Sequence, residues 1–494
     1  MIDSPVRVRF APSPTGLLHV GVARTTLYNY LLARQTGGRF ILRIEDTDQK
    51  RYNPDALKNF MDGLRYLGLQ WDEGPEVGGD YGPYVQTERL DAYQRFAHQL
   101  LDAGLAYRCF CTPERLARVN EERQQSKQRP GYDRHCRKID PLEAAQRASG
   151  GESYIVRVKV PLDGSITFHD YLRGNITVEN STLQDAVLIK SDGIPTYNFA
   201  VIVDDHLMKI THVLRGPEFL SSMPLYAHLY NFLGFEAPIF VHLPTILNPA
   251  GKGKMSKREL PADNGTVKPV FVHTFKELGY LPEAMINYLA LLGWSYDDKT
   301  EIMSREELIE RFSLDRINTS PASWNYEKLD HFNGIYIRSL SIEDLTGRLL
   351  PFLAQAGIVA DRETMLKITP LIQERLTTLS EAPAWVDFFF VDELPPFDLN
   401  LLVPKKMTLA DIPPILEKAT HILQETAFTH DALEASLREG AQELEIKAGQ
   451  MFQPIRVAVC GKQVSPPLFG TLEILGREKS LERIHDALSL ISNL

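Results

Sequence analysis

A chain of 494 residues is too long for one hydrophobic core and predicts several domains. With 44% hydrophobic and 24% charged residues, and no apolar run near the roughly 20 residues that span a bilayer, it reads as a soluble globular protein and not a membrane protein. A net charge of −10 excludes a protein that coats itself in nucleic acid, though not one with a local basic surface.

Met1 to Arg7 lacks the apolar stretch of a secretory signal, so the cytoplasm is the expected location. Val6 to Phe10 alternates and predicts a strand, which Pro12, Pro14 and Gly16 break. From His19 the apolar spacing becomes helical, through Val20, Ala23, Leu27, Tyr30 and Leu31. At such a strand–loop–helix junction an α/β fold offers backbone N–H groups and a positive helix end to phosphate. His19 at the helix mouth is a candidate phosphate donor. Gly21, lacking a Cβ, lets a base or phosphate come close. An ordinary buried turn would read the same way.

Thr36 to Arg39 stops this helix, and Phe40 to Ile44 is a second buried strand. The resulting βαβ unit ends in Glu45, Asp46 and Asp48, at the strand end where such sheets keep their ligands. Asp55–Leu67 and Glu88–Gly104 read as helices, with a glycine- and proline-rich loop from Glu73 to Tyr84 between them.

Arg108 to Lys138 is basic, which a solvated helix face would explain, and it holds three of the four cysteines: Cys109, Cys111 and Cys136. So few cysteines make no disulfide scaffold; clustered in a cytosolic chain, they point to metal. Ser153 to Val178 reads as strands with turns at Asp163-Gly164 and Arg173-Gly174, and Val187–Ile189 as another. Strand and helix patterns then alternate through Phe199–His206 to Phe240–Leu243. Glu88 to about Lys190 is therefore read as an insertion that splits one α/β domain.

Asn248 to Asp263 is a polar, glycine-rich loop in which Lys254 and Lys257 flank Met255-Ser256. Such lysines suit a triphosphate whose charge grows in the transition state, although an exposed basic loop looks alike. Beyond Phe271 the pattern is mostly helical, with candidates at Ala284–Leu292, Arg305–Phe312, Thr364–Leu379 and Ile412–Glu425. Asp392 to Lys406 is a proline-rich connector. Cys460, in the strand-like run Val457–Cys460, is expected to be a buried thiol.

Taken together, Pro12-Ser13-Pro14-Thr15-Gly16 leading into His19-Val20-Gly21-Val22, with Lys254-Met255-Ser256-Lys257-Arg258 far downstream, resembles the two signatures of class I aminoacyl-tRNA synthetases. Arg43-Ile44-Glu45-Asp46-Thr47-Asp48, Pro195-Thr196-Tyr197-Asn198-Phe199-Ala200 and Thr211-His212-Val213-Leu214-Arg215-Gly216 resemble the glutamyl-tRNA synthetases in particular, and the likeness runs nearly the whole chain.

The resemblance implies a Rossmann-like α/β catalytic domain split between 1–87 and 191–250, and an acceptor-end-binding α/β insertion at 88–190. It also implies a linker domain at 251–330 that begins with the lysine loop, and an α-helical anticodon-binding domain at 331–494. The implied reaction joins L-glutamate to ATP, then to tRNA(Glu), with tRNA(Gln) left open as a second acceptor, in a monomer. By resemblance His19, Gly21, Lys254, Ser256 and Lys257 bind ATP, with magnesium carried mainly on the phosphates. Arg9 and Arg215 face the glutamate carboxylates, Glu45 the ammonium, and Ala11, Ser13 and Tyr197 line the pocket. Some relatives hold zinc where this chain has Cys109, Cys111 and Cys136. Tyr132 and His135 are the local choices for a fourth ligand.

Two departures stand out. Val22 occupies a position that many class I enzymes fill with histidine, and Pro217-Glu218-Phe219 follows Arg215-Gly216 where Glu-Asp-His is frequent. Two other classes compete: a non-catalytic tRNA-binding relative and a nucleotidyltransferase acting on a small molecule. His19, Gly21, Lys254 and Lys257 oppose the first, and the long helical C-terminal region opposes the second.

Overall fold

The structure, a computed structural model, describes residues 5–256, 258–261 and 267–493. Two compact units emerge: Met1–Phe275 with Met285–Tyr326, and Lys276–Ala284 with Glu327–Leu494. No helix among the described residues is long and apolar enough to cross a membrane.

In the first unit β1 (Arg7–Phe10) pairs in parallel with β2 (Arg39–Leu42) through the crossover helix α1 (Val20–Gln35). The five apolar positions that announced α1 are all buried. Its polar residues are buried too: Arg24 reaches the Leu292 and Pro244 carbonyls, and the Tyr28 hydroxyl reaches those of Ala290 and Leu292. α1 is thus held between sheet and chain, and its ends are tightly turned. Gly38 carries one turn, because a Cβ there would lie 2.1 Å from the Val6 carbonyl oxygen.

On the other side of β1 lies β8 (His212–Arg215), since the Thr211 N–H donates to the Arg7 carbonyl at 2.9 Å. β9 (Ile239–His242) follows in parallel, and then the hairpin of β5 (Ser165–Asp170) and β6 (Gly174–Glu179). The sheet therefore runs β2–β1–β8–β9–β5–β6, and the chain leaves β1 in opposite directions to β2 and β8. The crevice beyond the carboxyl ends of β1 and β8 is where doubly wound sheets bind ligands.

A second, antiparallel sheet is built from β3 (Ala106–Cys109), β4 (Ile155–Val158) and β7 (Val187–Ile189). The helix α3 (Leu90–Asp102) precedes it. Helix α6 (Tyr197–Leu207) contains the run Phe199–His206, and Phe199 to Asp205 are all buried. A helix covered on nearly its whole circumference leaves no periodic pattern to read.

The second unit is helical. Leu345, Leu349 and Leu353 of helix Ile342–Gln355 pack with Met365, Ile368 and Ile372 of helix Arg362–Ile372 in one core. Leu416 and Leu423 of helix Ile412–Glu425 belong to the same core. The expected helix 364–379 stops at Ile372 and tightens into a short 3₁₀ turn, Gln373–Arg375. Cys460 is buried as expected, but it ends the helix Ala448–Cys460 and is not in a strand. Val457 to Cys460 are all buried, so the helical period disappears there.

Candidate active site

Arg9, Ala11, Ser13, His19, Gly21, Tyr197, Arg215 and Lys254 line one cavity of about 380 Å³ at the carboxyl ends of β1 and β8. Its volume suits a small-molecule site. Glu45 and Ser256 lie just outside the lining, and Lys257 falls outside the described residues. Val22 lines the mouth, 39% exposed.

Beneath the cavity is a buried charge network. Arg43, fully buried, donates to Glu45 Oε1 at 2.9 Å and to Asp205 Oδ1 at 2.7 Å. Arg9 donates from Nε to the same Asp205 oxygen at 3.2 Å. Burial pushes the Glu45 carboxyl above its usual value, against the pull of Arg43 and Arg9. Asp205 is the opposite case: desolvation is outweighed by the two guanidinium groups, so its carboxyl is held low. Among the described residues the Arg9 Nη groups make no hydrogen bond, and Arg9 lines the cavity.

Arg215 is placed differently. It is buried and held among Phe219, Tyr226 and Phe240, with its guanidinium carbon 4.8 to 5.4 Å from their ring centroids. Nε donates to His242 Nε2 at 3.1 Å and Nη2 to the Met223 sulfur at 3.1 Å, while Nη1 is buried without a partner. Among the described residues no carboxylate lies within the 4.0 Å of an ion pair. A buried cation with one donor unsatisfied, at the wall of a cavity, can receive an anion. Tyr197 packs against Phe219 across the same wall with ring centroids 5.7 Å apart.

His19 is the N-cap of α1, and its Nδ1 accepts from the Gly21 N–H at 3.0 Å. With Nδ1 an acceptor, Nε2 carries the proton, and it points to the Ser256 carbonyl at 2.6 Å. The first-turn donors expected to meet a phosphate are already used. Val20 N–H bonds the Val270 carbonyl, Gly21 N–H bonds His19, and Val22 N–H bonds the His19 carbonyl. This corrects the expectation of a free helix mouth, because its first backbone donors are already bonded. Gly21 serves His19 itself, since a Cβ would crowd Nδ1 at 3.3 Å. Lys254 is exposed and pairs with Glu218 at 3.3 Å, and the Ser256 hydroxyl is held by the Arg258 backbone.

From the sequence Arg24, Glu218, Asp205, Asp170 and His242 carry no assigned role, although Asp205 stands in the family-like run Val203–Met208 and Glu218 in the departure after Gly216.

Away from this cavity, the Cys109, Cys111 and Cys136 sulfurs lie within 4.8 Å of one another, all as free thiols. The Tyr132 hydroxyl is 3.3 Å from Cys109 Sγ and 3.8 Å from Cys111 Sγ. Hydrogen bonds from Cys136 and then Tyr132 pull the Cys109 thiol down to about 4, against desolvation. Three gathered thiols are a donor set that could hold zinc, and the Tyr132 hydroxyl lies beside two of them. His135 does not: it is exposed and its ring is not among the gathered donors.

Comparison with known proteins agrees with this architecture. Residues 5–331 match the family described as tRNA synthetases class I (E and Q), catalytic domain, and residues 344–488 match the anticodon binding domain. The glutamate–tRNA ligase of Chloroflexus aurantiacus is 49% identical across 100% of this chain and 99% of its own. That of Roseiflexus castenholzii is 48% identical across 100% and 98%. A crystal structure of a glutamate tRNA ligase from Elizabethkingia meningosepticum, in complex with its amino acid, superposes with a TM-score of 0.89 at 36% identity, covering 99% of this chain and all of that one. The chain belongs to the glutamate–tRNA ligases of the class I aminoacyl-tRNA synthetases.

Proposed function

We propose that this cavity activates L-glutamate with ATP and passes it to tRNA(Glu). The observation that carries this reading is the Arg215 guanidinium, buried at the cavity wall with no carboxylate paired to it among the described residues. Arg9 and Arg215 each take one glutamate carboxylate, Glu45 takes the ammonium, and Ala11, Ser13 and Tyr197 shape the pocket. Glutamine, neutral at its amide, would leave one guanidinium unpaired in a desolvated site, at a cost of about several kcal/mol.

The α-carboxylate oxygen attacks the α-phosphorus of ATP; the bond to the β-phosphate oxygen breaks, leaving glutamyl-adenylate and pyrophosphate. The terminal ribose hydroxyl of the tRNA then takes the acyl group and AMP departs. Both nucleophiles belong to the substrates, so the protein's task is positioning and charge stabilisation. His19 Nε2–H, freed from Ser256, donates to a phosphate oxygen. Lys254, freed from Glu218, and Lys257 meet the charge that builds on the leaving pyrophosphate, and Ser256 lends the loop its turn.

Among the described residues Glu218 is the single carboxylate in the lining, so magnesium would be carried on the triphosphate, where it would supply charge neutralisation. Zinc is proposed as a structural ion held by Cys109, Cys111, Cys136 and Tyr132.

The remaining organisation follows the family. Residues 1–87 and 191–250 form the catalytic domain, whose sheet also takes in the hairpin of β5 and β6; the rest of 88–190 meets the acceptor end, 251–330 form the linker, and 331–494 read the anticodon. The enzyme acts as a cytoplasmic monomer. Charging purified tRNA(Glu) and tRNA(Gln) side by side with labelled glutamate tests the reading. Ester formed on tRNA(Glu) supports it, product on tRNA(Gln) widens it to both acceptors, and product on neither contradicts it.

A further inference from the structure

Behind Arg215, on the side away from the cavity, are two fully buried residues: His242 at the end of β9 and Asp170 at the end of β5. The strands pair in parallel there, Asp170 opposite Phe240, which brings the carboxylate under His242. Asp170 Oδ2 meets the His242 backbone N–H at 3.1 Å and the ring Nδ1 at 2.7 Å. On the far edge of the ring, Nε2 meets Arg215 Nε at 3.1 Å.

A guanidinium can only donate, so His242 Nε2 must accept, and the ring proton must sit on Nδ1, pointing at Asp170. The chain of donors therefore runs Arg215 to His242 to Asp170, with one tautomer allowed. The charged groups facing this ring are Asp170, Arg215 and Arg173. Desolvation pushes its pKa down against the pull of Asp170, so the ring stays neutral.

Contrast with Arg43 shows what the arrangement does. Arg43 is buried against Glu45, Asp205 and, at 3.9 Å, Asp204, three carboxylates that consume its charge. Arg215 is gripped just as firmly, but by a neutral imidazole, a thioether and three aromatic faces. It is oriented without being neutralised. The carboxylate that fixes the grip stands one ring further back.

We propose that Asp170 and His242 are positioning residues of the ligase reaction: Asp170 locks the His242 tautomer, and His242 sets the plane of Arg215 while leaving its charge for a glutamate carboxylate. The proposal rests on the reading that Arg215 receives that carboxylate, so the test must separate the two.

Steady-state ATP–pyrophosphate exchange with tRNA(Glu) present, on Asp170→Asn, His242→Phe, His242→Gln and Arg215→Ala, does so. Asparagine has one acceptor oxygen where Asp170 has two, so its NH2 must face either His242 or the Leu172 and Arg173 N–H groups and the lock on Nδ1 is weakened; phenylalanine keeps the ring but removes both nitrogens. Each is expected to raise the glutamate KM about 10- to 100-fold, the range for a hydrogen bond to a charged group, with the ATP KM within about twofold of the parent. His242→Gln, whose amide can accept from Arg215 and donate to Asp170, is expected to recover most of the loss. If Arg215→Ala leaves the glutamate KM unchanged, the reading of Arg215 falls and the proposal with it. If Arg215→Ala raises it while folded Asp170→Asn and His242→Phe do not, the relay alone is overturned. The relay is likewise overturned if ATP and glutamate KM rise in step, because that is the mark of a general structural role.

Discussion

The His19 imidazole closes the two signature segments on each other, with Nε2 at 2.6 Å from the Ser256 carbonyl while Nδ1 is capped by the Gly21 N–H. One ring thus caps α1 and holds the lysine loop. In the proposed reaction a phosphate oxygen of ATP takes the place of the Ser256 carbonyl at His19. His19→Ala is expected to lower kcat for ATP–pyrophosphate exchange about 10²- to 10³-fold, as losing one preorganised donor does. Glutamate affinity, measured by calorimetry, is expected to stay within twofold. A kcat near the parent value would remove His19 from the chemistry.

Arg43 is the keystone of the buried charges. Replacing it with methionine leaves Asp205 and Glu45 desolvated with only Arg9 nearby. The expected loss is about 3–5 kcal/mol in the first unfolding transition, read by chemical denaturation. Because Asp205 also holds Arg9, the glutamate KM should rise with it. A loss below about 1 kcal/mol would mean that water reaches the network.

His206, His212, His228 and His242 all lie in the catalytic unit, and burial lowers the pKa of each below 6.5. Near and below that pH the unfolded chain binds protons that the folded chain does not. Stability therefore rises with pH through this window and falls as the pH drops. The thermal midpoint is expected to decline between about pH 7.5 and 5.5, more shallowly in His228→Gln, which keeps a donor for Asn180 but cannot titrate. An unchanged slope in that variant would contradict the assignment.

About one zinc per chain is expected in protein purified without chelator, with loss of the metal freeing three thiols to titration. Tyr132→Phe keeps the ring that lies 4.0 Å beneath Arg157 and removes only the hydroxyl. It is expected to weaken zinc retention at least 10-fold in competition with a chelator, while His135→Ala has no effect. The reverse pattern would return the fourth position to His135.

Most of the fold was legible because its signals are local. Val6–Phe10, the helix from Val20 and the stop at Thr36–Arg39 are set by period and by glycine, and all appear at or within a residue or two of their expected bounds. The order of motifs also named the cavity-lining residues. What stayed hidden is long-range. Arg9 finds Asp205, and Arg215 finds His242 and through it Asp170, only after β1, β8, β9 and β5 are laid side by side. No spacing in the chain encodes those meetings. Phe199–His206 and Val457–Cys460 were hard for another reason: a helix buried on all sides has no polar face to mark its turn. The occupied N–H groups of Val20, Gly21 and Val22 could not be foreseen either, since one of their acceptors, Val270, lies across the fold.

The central claim is that this cavity selects a dicarboxylate and joins it to ATP. ATP–pyrophosphate exchange with purified tRNA(Glu) present, run in parallel with L-glutamate and L-glutamine at equal concentration, tests it most directly. Exchange that depends on glutamate, with glutamine at least 10²-fold weaker in kcat/KM, is the predicted result, since a neutral amide leaves a buried guanidinium unpaired. No exchange with glutamate, or equal exchange with both amino acids, would contradict it.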